Sequence, residues 1–160
     1  MSCSRNERAA VHSGSLLTRV YRSGCSFGPR RAVMQLVAWG MIAASIEEKF
    51  SHIFEHWRPK VVAELNGQEV KLVKFLGDFL WHQHDREDEM FLVWRGEMRL
   101  EFRDKAVKLR AGEYCVVPHG VEHRTCADQE VEVIVFEPAA TRNTGNRIDE
   151  RFTAPNGVRL

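Results

Sequence analysis

Three histidines and one glutamate have residue types and spacings that could bind a divalent metal ion. His82 and His84 are separated by one residue, Glu89 follows after a short polar stretch, and His123 lies farther along the chain. Three neutral imidazoles and one carboxylate form a donor set of three nitrogens and one oxygen. Such a set suits iron, manganese, nickel or zinc better than calcium or magnesium, which prefer oxygen ligands. No pair among the four is convincing by itself, because two histidines at this spacing are common in strands.

Three further histidines are weaker candidates. His52 and His56 are four residues apart, a spacing that can bind a metal on a helix, but no glutamate completes an HExxH arrangement. We interpret both as surface histidines. His119 lies in a predicted turn, where it could line a pocket mouth, and we interpret it as a surface residue.

Short apolar segments separated by turns predict the elements that must position these residues. Asn66-Gly67 is a strong type I′ hairpin signal between two of them. If His82 and His84 lie in one strand, both imidazoles point to the same face of the sheet. Strands at this spacing favour an all-β sandwich or barrel. The predicted strands are Val61–Leu65, Glu69–Phe75, Phe79–His84, Met90–Trp94, Glu97–Phe102, Tyr114–Val117 and Val131–Phe136.

One short α-helix is predicted before the first strand. Ser45 and Glu48 have the spacing of a capping box, and apolar residues follow with helical periodicity as far as Trp57. Pro59 disfavours helix at the residue before it and is expected to end this element. The apolar stripe consists of Ile46, Phe50, Ile53, Phe54 and Trp57.

The spacing of the candidate ligands resembles the first conserved motif of the cupin superfamily, G-x5-HxH-x3,4-E-x6-G. Four residues separate Gly77 from His82, one fewer than in the motif, whereas the positions of His84, Glu89 and Gly96 fit it. The six-residue gap before Gly96 favours Glu89 as the carboxylate ligand over its neighbour Asp88, which would satisfy a looser form of the motif.

The second cupin motif, G-x5-PxG-x2-H-x3-N, resembles the segment that begins at Gly112. Pro118, Gly120 and His123 stand at the expected positions, and Ala127 replaces the final asparagine, which is not a ligand. The resemblance covers roughly residues 75–127. It implies a small jelly-roll β-barrel, also called a double-stranded β-helix, with a metal near its centre bound by His82, His84, Glu89 and His123. Residues 56–67 and 143–146 also resemble a group of small single-domain bacterial cupins, and cupins are frequently homodimers.

A metal-binding cupin of this kind could act as an enzyme or as a binding module. A divalent ion with one carboxylate ligand has a net charge of +1, and a six-coordinate ion would keep two positions open. The site should therefore favour a small anionic ligand that chelates through oxygen. We expect a metal-dependent enzyme of the dioxygenase or isomerase/lyase type. The alternative is a non-catalytic cupin that binds a small ligand or uses the metal only to brace the barrel. No general base is evident beyond the ligands.

The chain of 160 residues is long enough for one domain with its own core. Residues 1–45 carry six arginines and one glutamate. We expect residues 1–44 to be a disordered or non-native extension, with an organelle-targeting or export segment as alternatives. Residues 45–139 are the predicted barrel with its leading helix, and residues 140–160 form a tail that we expect to wrap the barrel without adding to its core.

Charge and cysteine content exclude several classes of protein. A net charge of +1 offers no basic surface for nucleic acid. The longest uncharged run, from Ala32 to Ile46, has 15 residues, whereas a membrane-spanning helix needs about 20. The four cysteines form no CxxC pair, so we expect a reducing, cytoplasmic location.

Small barrels have exposed edges to cover, and we expect a homodimer that pairs through the apolar strand Val61–Leu65.

Overall fold

The computed structural model describes residues 43–160, in which one short helix precedes a small antiparallel jelly-roll β-barrel, as predicted. One layer has the strand order β1-β2-β7-β3-β6, and β4 pairs with both β7 and β5. The elements are α1 (Ile46–Ser51), β1 (Lys60–Leu65), β2 (Gln68–Asp78), β3 (Glu89–Arg95), β4 (Glu97–Phe102), β5 (Ala106–Arg110), β6 (Tyr114–Val117) and β7 (His123–Pro138).

The long strand β7 joins the two layers of the barrel. Its first residues, His123–Cys126, pair with β4, and its later residues pair with β2 on one side and β3 on the other. Alternate side chains of β7 point inward, so that Val131, Val133 and Val135 are buried in the core. This strand therefore carries one candidate ligand, His123, directly into the interior.

The opposite face of the β1–β2–β7 layer is covered by the helix. Phe50 and Ile53 are buried there against Val62 and Leu72. Burial of side chains of this size stabilises a fold by about 1.5–3 kcal/mol each. The Ser45 hydroxyl accepts a hydrogen bond from the Glu48 backbone N–H, which confirms the predicted N-terminal cap.

The helix ends sooner than its apolar stripe predicts. It stops at Ser51, and Phe54 is 85% exposed. Trp57 has a φ of +64° and donates its backbone N–H to the Lys74 carbonyl. Its indole stacks on Phe75 at 4.7 Å between ring centroids. This packing against β2 is incompatible with a helical backbone at Trp57. The periodicity therefore identified Trp57 correctly as a buried residue but wrongly predicted that it lies in the helix.

The predicted turn at Asn66-Gly67 is confirmed, because both residues have the positive φ values of a type I′ turn. Two strand predictions need correction, and one strand was missed. Phe79–His84 is not a strand: its backbone bonds to β7 through Phe79 and through an isolated bridge between His82 and His123. The strand β5 is present although no strand was predicted there. Val131–Phe136 is only the last part of β7.

The C-terminal tail contributes to the core, contrary to expectation. Phe152 packs against the main cluster and meets Trp57 edge to face at 6.0 Å. The Asn143 amide donates to the Phe152 carbonyl, and its Oδ1 accepts from the Ala154 N–H. These hydrogen bonds fold the tail back on itself and allow the side chain of Phe152 to pack against the core.

The tail also occupies part of the edge of β1 that we expected to pair across a dimer. The Val61 N–H donates to the Val158 carbonyl, and the Leu160 N–H donates to the Val61 carbonyl. No helix within residues 43–160 is long and apolar enough to cross a membrane. The extension predicted over residues 1–44 lies almost wholly outside the described residues.

Gly145 lets the tail approach the segment that carries His82 and His84. A Cβ at this position would overlap the carbonyl oxygen of Gln83. We therefore expect Gly145→Ala to destabilise the fold by about 1–3 kcal/mol through this clash. The matched control is Gly157→Ala, because Gly157 also has a positive φ but has open space around it. Equal losses of unfolding free energy in denaturant would contradict the proposed clash.

Candidate metal centre

The four predicted ligands come together inside the barrel. One donor atom from each of His82, His84, Glu89 and His123 lies within 4.8 Å of the others, and all four residues are buried. Glu89 is the first residue of β3 and His123 the first of β7, whereas both other histidines lie in the segment between β2 and β3. The cluster therefore joins three separate parts of the chain.

Backbone carbonyls fix the orientation of two imidazoles. The Nδ1 of His82 lies 3.1 Å from the Leu80 oxygen, and the Nδ1 of His123 lies 2.9 Å from the Val121 oxygen. An Nδ1–H that donates to a carbonyl leaves Nε2 with a free lone pair, which is the arrangement found around metal-binding histidines. The Nε2 atoms of His84 and His123 lie 3.1 Å and 3.4 Å from the same oxygen of Glu89.

Electrostatics place two of these groups, Glu89 and His82, in the protonation states that a metal requires. Burial alone would raise the pKa of Glu89, but His123 and His84 lower it well below its usual range. Burial, followed by the charge of His123, lowers the pKa of His82 to about 4. Burial also acts to lower the pKa of His84, but Glu89 outweighs it and raises that pKa. Glu89 is therefore ionised and His82 neutral at neutral pH.

One unsatisfied nitrogen tests whether these residues fit a metal. The Nε2 of His123 is buried and has no hydrogen-bond partner among the described residues. Leaving a buried polar atom unpaired costs about 1–3 kcal/mol. An ion bound between the three imidazoles and Glu89 would satisfy this atom, and the donor set is one that transition metals accept. The residues therefore fit a metal ion.

The other residues considered as metal ligands lie outside the buried cluster. Asp88 is exposed and its carboxylate accepts hydrogen bonds from the backbone and ring of His119, each at 2.8 Å. Asp88 therefore does not join the cluster, although it is the neighbour of Glu89. His56 lies 2.8 Å from Glu130 on the surface, and His52 is exposed.

The tail holds the segment between the two neighbouring histidines. Asn146 donates its backbone N–H to the Gln83 carbonyl at 2.9 Å, and its side-chain oxygen accepts from the Gln83 N–H at 3.3 Å. These bonds replace the strand pairing that was expected there. The tail therefore positions His82 and His84 from outside, while β7 holds His82 from inside.

Sequence reasoning missed a second group of charged residues inside the barrel. Glu69, Lys71 and Glu137 are all buried, and Lys71 forms ion pairs with both carboxylates. A signal was available, because Glu137 continues the alternation of inward residues in β7, and Lys71 has the same parity as Val73 in β2. Neither position was singled out from the sequence, and the predicted strand Val131–Phe136 ended before Glu137.

A small cavity lies beside the ligand cluster. Its volume is about 30 Å³, which is room for one or two water molecules. Aromatic and aliphatic side chains form most of its wall, so ligand groups entering it would be largely shielded from solvent. The cavity is lined by Trp57, Pro59, Val73, Phe75, Phe79, His82, Glu89, Phe91, Thr125, Val135, Glu137 and Asn143.

Comparison with known proteins gives three informative matches besides a family model. An uncharacterized protein of Bacillus subtilis (strain 168), YdbB, is 34% identical over 85 residues, which are 52% of this chain and 69% of that protein. A crystal structure of a cupin-2 domain containing protein from Shewanella frigidimarina is 43% identical with a TM-score of 0.59, covering 59% of this chain and 93% of that one. The structure of protein NMB1881 from Neisseria meningitidis is 29% identical with a TM-score of 0.57, covering 61% of this chain and all of that one.

The family model that matches is the cupin domain called Cupin_2, and it matches residues 64–137. This range includes all four residues of the buried cluster and most of the barrel. The Shewanella protein adds a solved barrel that aligns over nearly its whole length at high identity. Sequence motifs, fold and relatives agree, and the chain belongs to the cupin superfamily.

Proposed function

We propose that this cupin binds one divalent transition-metal ion through His82, His84, Glu89 and His123. The observation that carries the proposal is the buried, unpaired Nε2 of His123, which faces the Glu89 carboxylate together with the other imidazoles. We propose iron, manganese, nickel or zinc as the ion, because three imidazoles and one carboxylate suit these metals.

We further propose that the bound ion makes the protein an enzyme acting on a small anionic ligand that chelates through oxygen. When bound, the ion would supply Lewis acidity toward such a ligand or, in the case of iron, redox chemistry with dioxygen. Glu89 provides the only negative charge among the four ligands, so the site would attract an anion. Phe79 and Phe91 line the adjacent cavity and would exclude water from the bound ligand.

The reaction we propose is of the dioxygenase or isomerase/lyase type. The second candidate is a non-catalytic cupin that binds a small ligand or uses the metal to brace the barrel. The small cavity supports this alternative, because structural metal sites are closed whereas catalytic sites keep a coordination position open. The two candidates differ in whether an outside molecule reaches the metal.

For the assembly, we propose a homodimer that uses the part of β1 left free by the tail. Leu65 is 48% exposed on this strand, and unpaired strand edges favour association. We expect light scattering at micromolar concentration to give the mass of two chains. A clean monomer mass would contradict this proposal.

Metal content tests the ligand assignment. We expect the purified protein to contain about one transition-metal ion per chain, measured by elemental mass spectrometry. His84→Ala and His123→Ala should remove most of it, because each deletes one of four protein ligands. Glu89→Gln should also weaken binding, because it removes the only anionic donor.

Asp88 and His119 provide the matched control for this experiment. They form another carboxylate–imidazole pair close in sequence to the site, but the pair is exposed. Asp88→Asn and His119→Ala should therefore leave the metal content nearly unchanged. If Asp88→Asn empties the site while Glu89→Gln does not, the ligand assignment is wrong. If none of these variants alters the metal content, the proposed metal site is wrong.

Ligand exchange on a cobalt-loaded protein distinguishes an open site from a closed one. Cobalt(II) reports its coordination in its visible absorption spectrum. We expect oxalate, an anionic oxygen chelator, to change this spectrum in a saturable manner. Chloride at the same ionic strength is the control. A spectrum that oxalate leaves unchanged would favour the structural alternative.

A further inference from the structure

The buried charges of Glu69, Lys71 and Glu137 form a second polar group inside the barrel. Their exposed fractions are 5%, 4% and 1%. Glu69 in β2 is directly opposite Glu137 in β7, and Lys71 is two residues further along β2. The register of two central strands therefore brings these side chains together.

Lys71 contacts both carboxylates of this cluster. It donates hydrogen bonds to Oε1 of Glu137 at 2.8 Å and to the Thr141 carbonyl oxygen at 3.2 Å. It lies 3.1 Å from Oε2 of Glu69 in an ion pair, and this oxygen has no hydrogen-bond partner within residues 43–160. Lys71 therefore holds Glu137 by one oxygen, Oε1.

The second oxygen of Glu137 is also unpaired. Its Oε2 is buried and has no hydrogen-bond partner within residues 43–160. Glu137 lines the same small cavity as Glu89 and His82. Burial and the charge of Glu89 raise the pKa of Glu137 to about 8, which agrees with its closeness to the ligand cluster.

We propose that Glu137 binds the hydroxyl group of a small hydroxycarboxylic acid whose carboxylate is held at the metal. This inference rests on the proposed metal site and names the class of its ligand. Lys71 is a positioning residue, because it fixes Glu137 and does not itself line the cavity.

The chemistry of the cavity favours a hydroxyl over other small groups. A methyl group would leave Oε2 of Glu137 unpaired, and a second carboxylate would be repelled by the ionised Glu89. A hydroxyl both donates and accepts, so it can pair with the Glu137 carboxyl whether or not that carboxyl carries a proton. It also fits within a space of about 30 Å³.

Glycolate and acetate test this inference, since they differ only by a hydroxyl group. Their dissociation constants would be measured by calorimetry on the metal-containing full-length protein and on its variants. Glycolate can bind more tightly than acetate simply because its hydroxyl also binds the metal. The informative quantity is therefore the dissociation constant of acetate divided by that of glycolate, compared between the wild type and each variant. In Glu137→Leu we expect this ratio to fall about tenfold, because the glycolate hydroxyl then loses its hydrogen bond to the Glu137 carboxyl. Glu137→Gln keeps a polar atom and should lose less.

Glu69→Leu is the matched control. Glu69 is the other buried partner of Lys71 but does not line the cavity. Either substitution to Leu leaves one carboxyl group beside Lys71, so neither variant leaves the buried ammonium group without an acidic partner. We expect the ratio in Glu69→Leu to match that of the wild type.

The outcomes separate this inference from the proposed function. If the wild type contains no metal, the proposed function fails and the inference fails with it. If metal is present but the ratio in Glu137→Leu equals that of the wild type, only the inference is overturned. It is also overturned if neither acid binds, or if Glu137→Leu loses its metal while Glu69→Leu keeps it. Should Glu137→Leu not fold, an unchanged ratio in Glu137→Gln would overturn it.

Discussion

A carboxylate withdrawn from water at the centre of a small barrel constrains much of this structure. Glu89 is buried and ionised, and the free energy cost of that burial must be offset by groups around it. The imidazole of His84 supplies part of this compensation, and that of His123 lies 3.4 Å from the same carboxylate oxygen. These two imidazoles come from different segments of the chain, and the backbone must orient each of them. The burial of Glu89 therefore constrains β3, β7 and the segment between β2 and β3.

The fold meets this requirement with one strand that belongs to both layers. The start of β7 brings His123 to the centre and pairs it with His82, while its end brings Glu137 to the other side of the cavity. Two polar groups therefore face one small space lined mostly by aromatic and aliphatic side chains. The interior of this barrel is consequently not a uniform apolar core. Its polar side chains include groups that line the cavity, where a ligand could contact them.

Local signals in the sequence predicted which four residues cluster inside the barrel better than they predicted the elements that carry them. Glu89 and His123 were identified because motif spacing reflects the geometry around an ion. Phe79–His84 was assigned to a strand because its alternation resembles one, yet its hydrogen bonds go to β7 and to the tail. Trp57 fits a helical stripe, but long-range aromatic packing determines its backbone. The position of Glu137 beside Glu69 and Lys71 depends on which residues of β2 and β7 pair. A local sequence pattern gives no information about that pairing.

The hydrogen bonds between Gln83 and Asn146 join residues 63 positions apart in the chain. Closing so long a loop costs conformational entropy before the contact contributes any stability, and contacts of this kind slow folding. During synthesis, the segment of His82 and His84 emerges long before its partner in the tail. The two histidines can therefore reach their final geometry only after the tail has been translated, which makes the centre of the barrel one of the last parts of the molecule to mature.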